Sequence, residues 1–168
     1  MRTVDAIFDI LKQYTDTVFF VPGGGAAFLV DALGKSGLRH ISALHEQGAG
    51  FMACGYAQYT GRLGVCLVTS GPGATNAITP CAAAWMDSLP VLFISGQSNL
   101  HPDERLRVRG VQAVDITKMV KPITKAAFIY NRDYCYIGDI KHLIEDCFKG
   151  RPGPCWLDVP LNVQSEEI

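Results

Sequence analysis

Three short runs of the sequence are almost entirely apolar, and each is bounded by glycine or proline. They occupy residues 64–69, 90–95 and 155–159. Strands of this composition are typical of a parallel sheet whose two faces are both covered. Helical patterns such as residues 46–59 lie between the strand patterns along the whole chain. This alternation predicts an α/β fold: a three-layer, doubly wound, mostly parallel sheet with helices on both faces. The length of 168 residues favours one domain over residues 1–168.

Polar or glycine-rich segments directly follow three of the predicted strands. These segments are residues 22–25, residues 45–46 and residues 70–76. Ligands of open α/β sheets bind outside the carboxyl ends of the strands. We therefore expect both glycine loops and Glu46 to form one site. The helix that starts at Glu46 also contains three glycines, Gly48, Gly50 and Gly55. Because glycine costs a helix about 1 kcal/mol relative to alanine, we expect a backbone or a ligand to approach them closely.

The charge balance excludes several classes of function. Lys and Arg total 15 and Asp and Glu total 16, and without a basic block nucleic-acid binding has no electrostatic support. No run reaches the roughly 18 apolar residues of a membrane helix, and the N-terminus lacks the apolar core of a signal peptide. The six cysteines form neither a C-x-x-C pair nor a metal-ligand spacing with histidine. We therefore expect a cytoplasmic protein with buried, reduced thiols, no membrane partner and no metal ligands of its own.

Three segments come close to phosphate-binding motifs without completing them. Residues 71–76 read G-x-G-x-x-N instead of G-x-G-x-x-G, and Pro72 removes one backbone N–H. Residues 34–36 resemble the end of a P-loop, but Leu29 stands where its first glycine is required. The triple glycine at 23–25 is compatible with an anion at a helix N-terminus. A nucleotide-binding module is therefore an alternative function.

Glu46 also has a purely structural explanation. A carboxylate in the first helical turn stabilises a helix by ~0.3–1 kcal/mol through the helix dipole. His45 and Asn76, each taken alone, are equally compatible with ordinary structural roles. The residues by themselves therefore leave the role of Glu46 open.

Several motifs, taken together and in order, resemble one family. They are Val21-Pro22-Gly23-Gly24; His45-Glu46-Gln47-Gly48-Ala49 with Gly55-Tyr56-Ala57; Thr69-Ser70-Gly71-Pro72-Gly73-Ala74-Thr75-Asn76; Asp87-Ser88-Leu89-Pro90 with Gly96-Gln97; and Gly150-Arg151-Pro152-Gly153-Pro154 with Asp158-Val159-Pro160. The chain resembles the pyrimidine-binding (PYR) domain of thiamine-diphosphate enzymes of the acetolactate synthase and pyruvate oxidase type. The resemblance covers nearly the whole chain, and the ordered set is far more specific than any single motif.

The resemblance implies a role for each matching residue. Glu46 resembles the catalytic glutamate that hydrogen-bonds N1′ of the aminopyrimidine and so promotes proton loss from thiazolium C2, which then attacks a 2-oxo acid. Pro22, Gly23, Gly24 and Gly25 resemble the loop beside the pyrimidine. Pro72 and Asn76 resemble the second wall of the cofactor site. Gln112 resembles the polar residue of the substrate channel. Residues 101–109 are more charged than this resemblance predicts, and residues 96–110 read as a long exposed loop. The 2-oxo acid and the product therefore stay open.

The resemblance also implies a partner domain. Enzymes of this family hold the diphosphate and its Mg²⁺ on a second domain bearing Gly-Asp-Gly, whereas this sequence offers only Gly138-Asp139-Ile140. We therefore expect activity only with a diphosphate-binding domain of the same or a neighbouring chain, in at least a homodimer. A non-catalytic assembly domain that kept the fold is a further alternative, although retention of Glu46 argues against it.

Overall fold

The computed structural model describes residues 1–99, 110–133 and 135–168. Six strands form one sheet: β1 Thr17–Phe20, β2 Arg39–Ser42, β3 Gly64–Val68, β4 Val91–Gln97, β5 Ala126–Ile129 and β6 Cys155–Pro160. The described ranges also contain eight α-helices: α1 Thr3–Leu11, α2 Ala27–Lys35, α3 Glu46–Thr60, α4 Pro72–Asn76, α5 Ile78–Met86, α6 Ile116–Val120, α7 Ile137–Phe148 and α8 Leu161–Gln164. Short 3₁₀ turns occur at Gly24–Ala26 and Lys121–Ile123.

The sheet has the strand order β2-β1-β3-β4-β6-β5, and every pairing between its strands is parallel. The central strands β3, β4 and β6 are buried along their whole length, whereas the edge strand β2 is exposed. Full burial explains why the central strands lack the alternation of polar and apolar residues that half-exposed strands show. The predicted α/β fold with a covered parallel sheet is confirmed.

Two apolar cores flank the sheet, one on each face. One core contains buried residues of α1, α2 and α7, including Phe8, Leu33 and Ile144. The other contains buried residues of α3, α5 and α6, and there the rings of Phe93 and Trp156 stack with centroids 5.1 Å apart. Two apolar cores separated by one sheet, each covered by helices, make up a three-layer fold. No helix in the described part of the chain is both long and apolar enough to cross a membrane.

The helical segment between the second glycine loop, residues 70–76, and Met86 is divided in two. α4 ends at Asn76 and α5 begins at Ile78, with Ala77 between them. Pro80 lies in the first turn of α5 and explains the break, because its ring excludes the carbonyl group four residues earlier. The short helix α8 was not predicted, since it follows a strand and spans only four residues.

The long loop predicted at residues 96–110 begins later than expected. Gly96 and Gln97 belong to β4, where they pair with Val159 and Pro160 of β6. Residues 100–109, which hold most of the charged segment, lie outside the described part of the chain.

Candidate functional site

The carboxyl ends of β1 and β3 meet at a reversal of the strand order. β1 lies between β2 and β3, so the chain moves outward to one side after β1 and returns to the other side for β3. Ligand sites of open α/β sheets lie at such switch points. The glycine loop at 22–25 leaves one of these two ends, and residues 69–71 leave the other.

Thr69 joins the two loops. The backbone N–H of Gly25 donates a hydrogen bond of 3.1 Å to Thr69 Oγ1. A Cβ added to Gly23 would lie 2.5 Å from Thr69 Cβ, so the glycine loop rests directly on this side chain. Thr69 was missed as a site residue, although its position immediately after a buried strand is a signal that points to it.

Glu46 is the first residue of α3, beside the same pair of loops. His45 precedes it as the N-cap, and its Nδ1 accepts a hydrogen bond of 3.2 Å from the N–H of Gln47. The start of the helix therefore does not need the Glu46 carboxylate as a cap. That carboxylate is half-buried, and its Oε2 accepts a hydrogen bond of 2.9 Å from Asn76 Nδ2 at the end of α4.

The second carboxylate oxygen of Glu46 lies beside Gly73. A Cβ on Gly73 would lie 3.5 Å from Glu46 Oε1 and 2.7 Å from Thr69 Cγ2. Within the described part of the chain, Oε1 has no hydrogen-bond donor, and no hydrogen bond joins Glu46 directly to the loop at 22–25. Thr69 and Gly73 lie between them. The carboxylate is thus fixed through one oxygen while the other can accept a donor from a ligand.

The two predicted prolines are exposed. Pro22 leads from β1 into the glycine loop, and Pro72 is the first residue of α4. Proline suits that position, because the first N–H of a helix has no partner within the helix. The same missing N–H and the five-residue length of α4 make this loop a poor phosphate cradle.

Gln112 lies against the turn that follows β3. Gly71 has φ +57°, and a Cβ there would lie 2.4 Å from the carbonyl oxygen of Gln112. Gly71 is thus required both for its left-handed backbone and for this close approach. Gln112, itself at φ +59°, borders a cleft of about 400 Å³. The cleft is lined by Gly24, Gly25, Ser70, Gln97, Ser98, Asn99, Gly110, Val111, Gln112 and Leu161.

A buried carboxylate lies beneath this cleft. Asp158 Oδ1 accepts a hydrogen bond of 2.5 Å from Ser95 Oγ, and its Oδ2 accepts one of 3.0 Å from Gln97 Nε2. Gln97 Nε2 also donates to the carbonyl oxygen of Val114 at 2.6 Å, which ties the Gln112 segment to the sheet. Burial raises the pKa of Asp158 to about 7, and the nearby Asp115 adds to the rise, although the two hydrogen bonds oppose it.

The described residues contain no cluster of three or more His, Cys, Asp or Glu side chains that could hold a metal ion. All six cysteines are free, and five of them are buried. The arrangement offers a fixed carboxylate with one open oxygen, beside a glycine loop and a cleft whose described lining residues carry no formal charge.

Comparison with known proteins gives one consistent family. Residues 1–119 match the family model described as "Thiamine pyrophosphate enzyme, N-terminal TPP binding domain". The acetolactate synthase large subunit of Corynebacterium glutamicum is 42% identical over 174 residues, covering 100% of this chain and 27% of the relative. The glyoxylate carboligase of Escherichia coli O157:H7 is 41% identical, covering 100% and 28%. The acetolactate synthase isozyme 1 large subunit of Escherichia coli K12 is 41% identical, covering 92% and 27%. The chain thus spans about a quarter of the length of these relatives.

Proposed function

Because the chain belongs to the family of N-terminal TPP-binding domains of thiamine pyrophosphate enzymes, we propose that Glu46 is its catalytic residue. The observation that carries the proposal is the open oxygen of this carboxylate. Asn76 holds Oε2 at 2.9 Å, whereas Oε1, beside Gly73, accepts no hydrogen bond from the described residues. An aminopyrimidine ring placed there brings a ring nitrogen that can share a proton with Oε1. The residues present therefore fit the ring of thiamine diphosphate.

The remaining site residues act as walls around that ring. Pro22, Gly23, Gly24 and Gly25 form one wall, which Thr69 supports through its bond to the N–H of Gly25. Pro72 and Asn76 form the other wall, and Asn76 orients the carboxylate of Glu46. Gln112 borders the cleft and contacts substrate there. The bound cofactor supplies the nucleophilic carbon that adds to the carbonyl of a 2-oxo acid. The contribution of this chain is to hold the ring and to hold one proton at Glu46.

The complete protein carries out a carboligation or decarboxylation of 2-oxo acids of the acetolactate synthase type. Two observations support this proposal: the relatives' names, and the quarter of their length that this chain covers. A diphosphate-binding domain, on the same or a neighbouring chain, holds the diphosphate and Mg²⁺, and the assembly is at least a homodimer. Residues 1–168 form the pyrimidine-binding domain. The free cysteines favour a reducing compartment, and we place the protein in the cytoplasm.

The test measures exchange of the cofactor C2 hydrogen with solvent deuterium in the complete protein. Glu46→Gln removes the proton-sharing carboxylate while keeping the shape of the side chain, so exchange should fall by at least about a hundredfold. Glu145→Gln, on the exposed surface of α7, is the matched control and should exchange at the wild-type rate. Wild-type exchange in the Glu46→Gln protein would refute the assigned role.

A further inference from the structure

Gln164 ties the C-terminal helix to the glycine loop. It is the last residue of α8 and is fully buried. Its Nε2 donates a hydrogen bond of 2.7 Å to the carbonyl oxygen of Gly25 and one of 2.8 Å to the carbonyl oxygen of Val159. One amide thereby joins the loop after β1 to the end of β6, across 139 positions of sequence.

The orientation of this amide is fixed by its surroundings. Both groups that it reaches are carbonyl oxygens, so the nitrogen must face them, because the reverse orientation would place an oxygen against two acceptors. The other end of the amide, Oε1, is buried and has no donor among the described residues. A side chain that leaves a buried acceptor unpaired is a poor choice for packing alone, where leucine or methionine would fill the same space. The two hydrogen bonds that Gln164 Nε2 donates therefore explain why glutamine occupies this position.

Gly25 is held from two further directions. Its N–H donates to Thr69 Oγ1, which follows β3. A Cβ on Gly96 of β4 would lie only 2.0 Å from the Gly25 carbonyl oxygen, so the sheet closes directly against that group. Gln164 supplies the third attachment, from β6 and α8. Gly25 also borders the cleft that Gln112 lines.

We propose that Gln164 is a positioning residue that sets the conformation of the glycine loop at 22–25 for binding of the cofactor ring. This rests on the proposed function of that loop. Gln164 makes no hydrogen bond to Glu46 and does not itself line the cleft, so it acts on the site through Gly25. When Gln164 is replaced, the loop spends less time in the competent conformation, and the apparent Kd rises in inverse proportion to that fraction.

The experiment replaces Gln164 by methionine in the complete protein and measures the Kd of thiamine diphosphate with Mg²⁺. Methionine keeps the volume and removes both donors. We expect the Kd to rise about tenfold, with kcat at saturating cofactor changed less than about twofold. Val163→Ala is the matched control, because this buried residue precedes Gln164 on α8 and makes no bond to Gly25. It should lower the thermal stability and leave the Kd unchanged.

A second readout tests the hydrogen bond between Gln164 and Gly25 in the absence of the cofactor. Hydrogen exchange at the Gly25 amide should be faster in Gln164→Met and unchanged in Val163→Ala. An unaltered Kd and unaltered Gly25 exchange in Gln164→Met would overturn the proposal, and so would equal losses of affinity in both variants. If wild-type protein binds no thiamine diphosphate, the proposed function fails. Faster Gly25 exchange in Gln164→Met alone would then still show that Gln164 holds the loop, but the loop would have no role in binding the cofactor.

Discussion

Replacement of Asp158 by asparagine should make the stability of this protein less dependent on pH. Asp158 is fully buried, and its carboxylate faces Ser95 and Gln97, with Asp115 as the charged neighbour that raises its pKa further. Asparagine keeps the shape of the side chain. Its amide can donate to Ser95 Oγ and its oxygen can accept from Gln97, so it reproduces the hydrogen bonding open to the protonated acid.

The size of the effect follows from the pKa of Asp158. The folded value of about 7 lies above the ordinary value of 3.8, so the folded state binds the proton more tightly than the unfolded state does. The free energy of unfolding therefore falls as the pH rises through that window, and the loss is complete above the folded pKa. At roughly 1.4 kcal/mol for each pH unit, the full cost of ionisation is about 4 kcal/mol at most. About 3 kcal/mol of it falls between about pH 5 and about pH 8.

Urea unfolding of both proteins at several values between about pH 5 and about pH 8 measures this difference. Other titrating groups affect the two proteins alike, so they cancel when one free energy is subtracted from the other. We expect the free energy of unfolding of the asparagine variant to rise steadily, relative to that of the wild type, as the pH rises. A difference that stays constant over this range would show that Asp158 titrates at its ordinary value, and the reasoning from burial would then be refuted.

Three further results are expected. Gly50→Ala should destabilise the protein by roughly 2 kcal/mol or more, because its Cβ would lie 2.3 Å from Pro80 Cγ; Gly55→Ala, with open space around it, should stabilise the protein by up to about 1 kcal/mol, and urea unfolding separates the two. Thr69→Val removes the acceptor of the Gly25 N–H, so hydrogen exchange at that amide should be about tenfold faster, and unchanged exchange would contradict the role of Thr69. Burial raises the pKa of Cys54 to about 11, so iodoacetamide should label it at mildly alkaline pH only after denaturation, as mass spectrometry can show.

Much of the fold could be predicted because its signals are local. Continuous apolar strands and glycine-bounded helices mark a covered parallel sheet whatever the order of its strands. The divided helix at Ala77 was also readable in principle, since Pro80 excludes a continuous helix by its ring alone. The order β2-β1-β3-β4-β6-β5 was not predicted, because strand order depends on packing between segments that are distant in sequence.

The glycines of α3 show where reasoning from composition stops. Their presence in a helix predicted a close approach at all three positions. At Gly50 the structure does show a close approach, but by the side chain of Pro80 and not by a backbone or a ligand. It leaves open space around Gly55 and only an ordinary contact at Gly48. Nothing in the described part of the chain explains Gly55. The cost of glycine in a helix indicates that some contact requires the small residue. It does not say whether that contact comes from this chain or from a partner.

The residues that hold the candidate site in place come from parts of the chain that no local motif connects. Glu46, the glycine loop and Asn76 stand out because each follows a strand, whereas Gln164 and Asp158 act from the far end of the sequence. Asp158 lies in β6, between β4 and β5, and Gln164 lies in α8, which follows β6 directly. Removal of both elements would expose one edge of β4, release the carbonyl of Gly25 and leave Gln97, which holds the Gln112 segment, without Asp158. We therefore infer that the structural unit extends at least to Gln164, well beyond residue 119 where the family match ends.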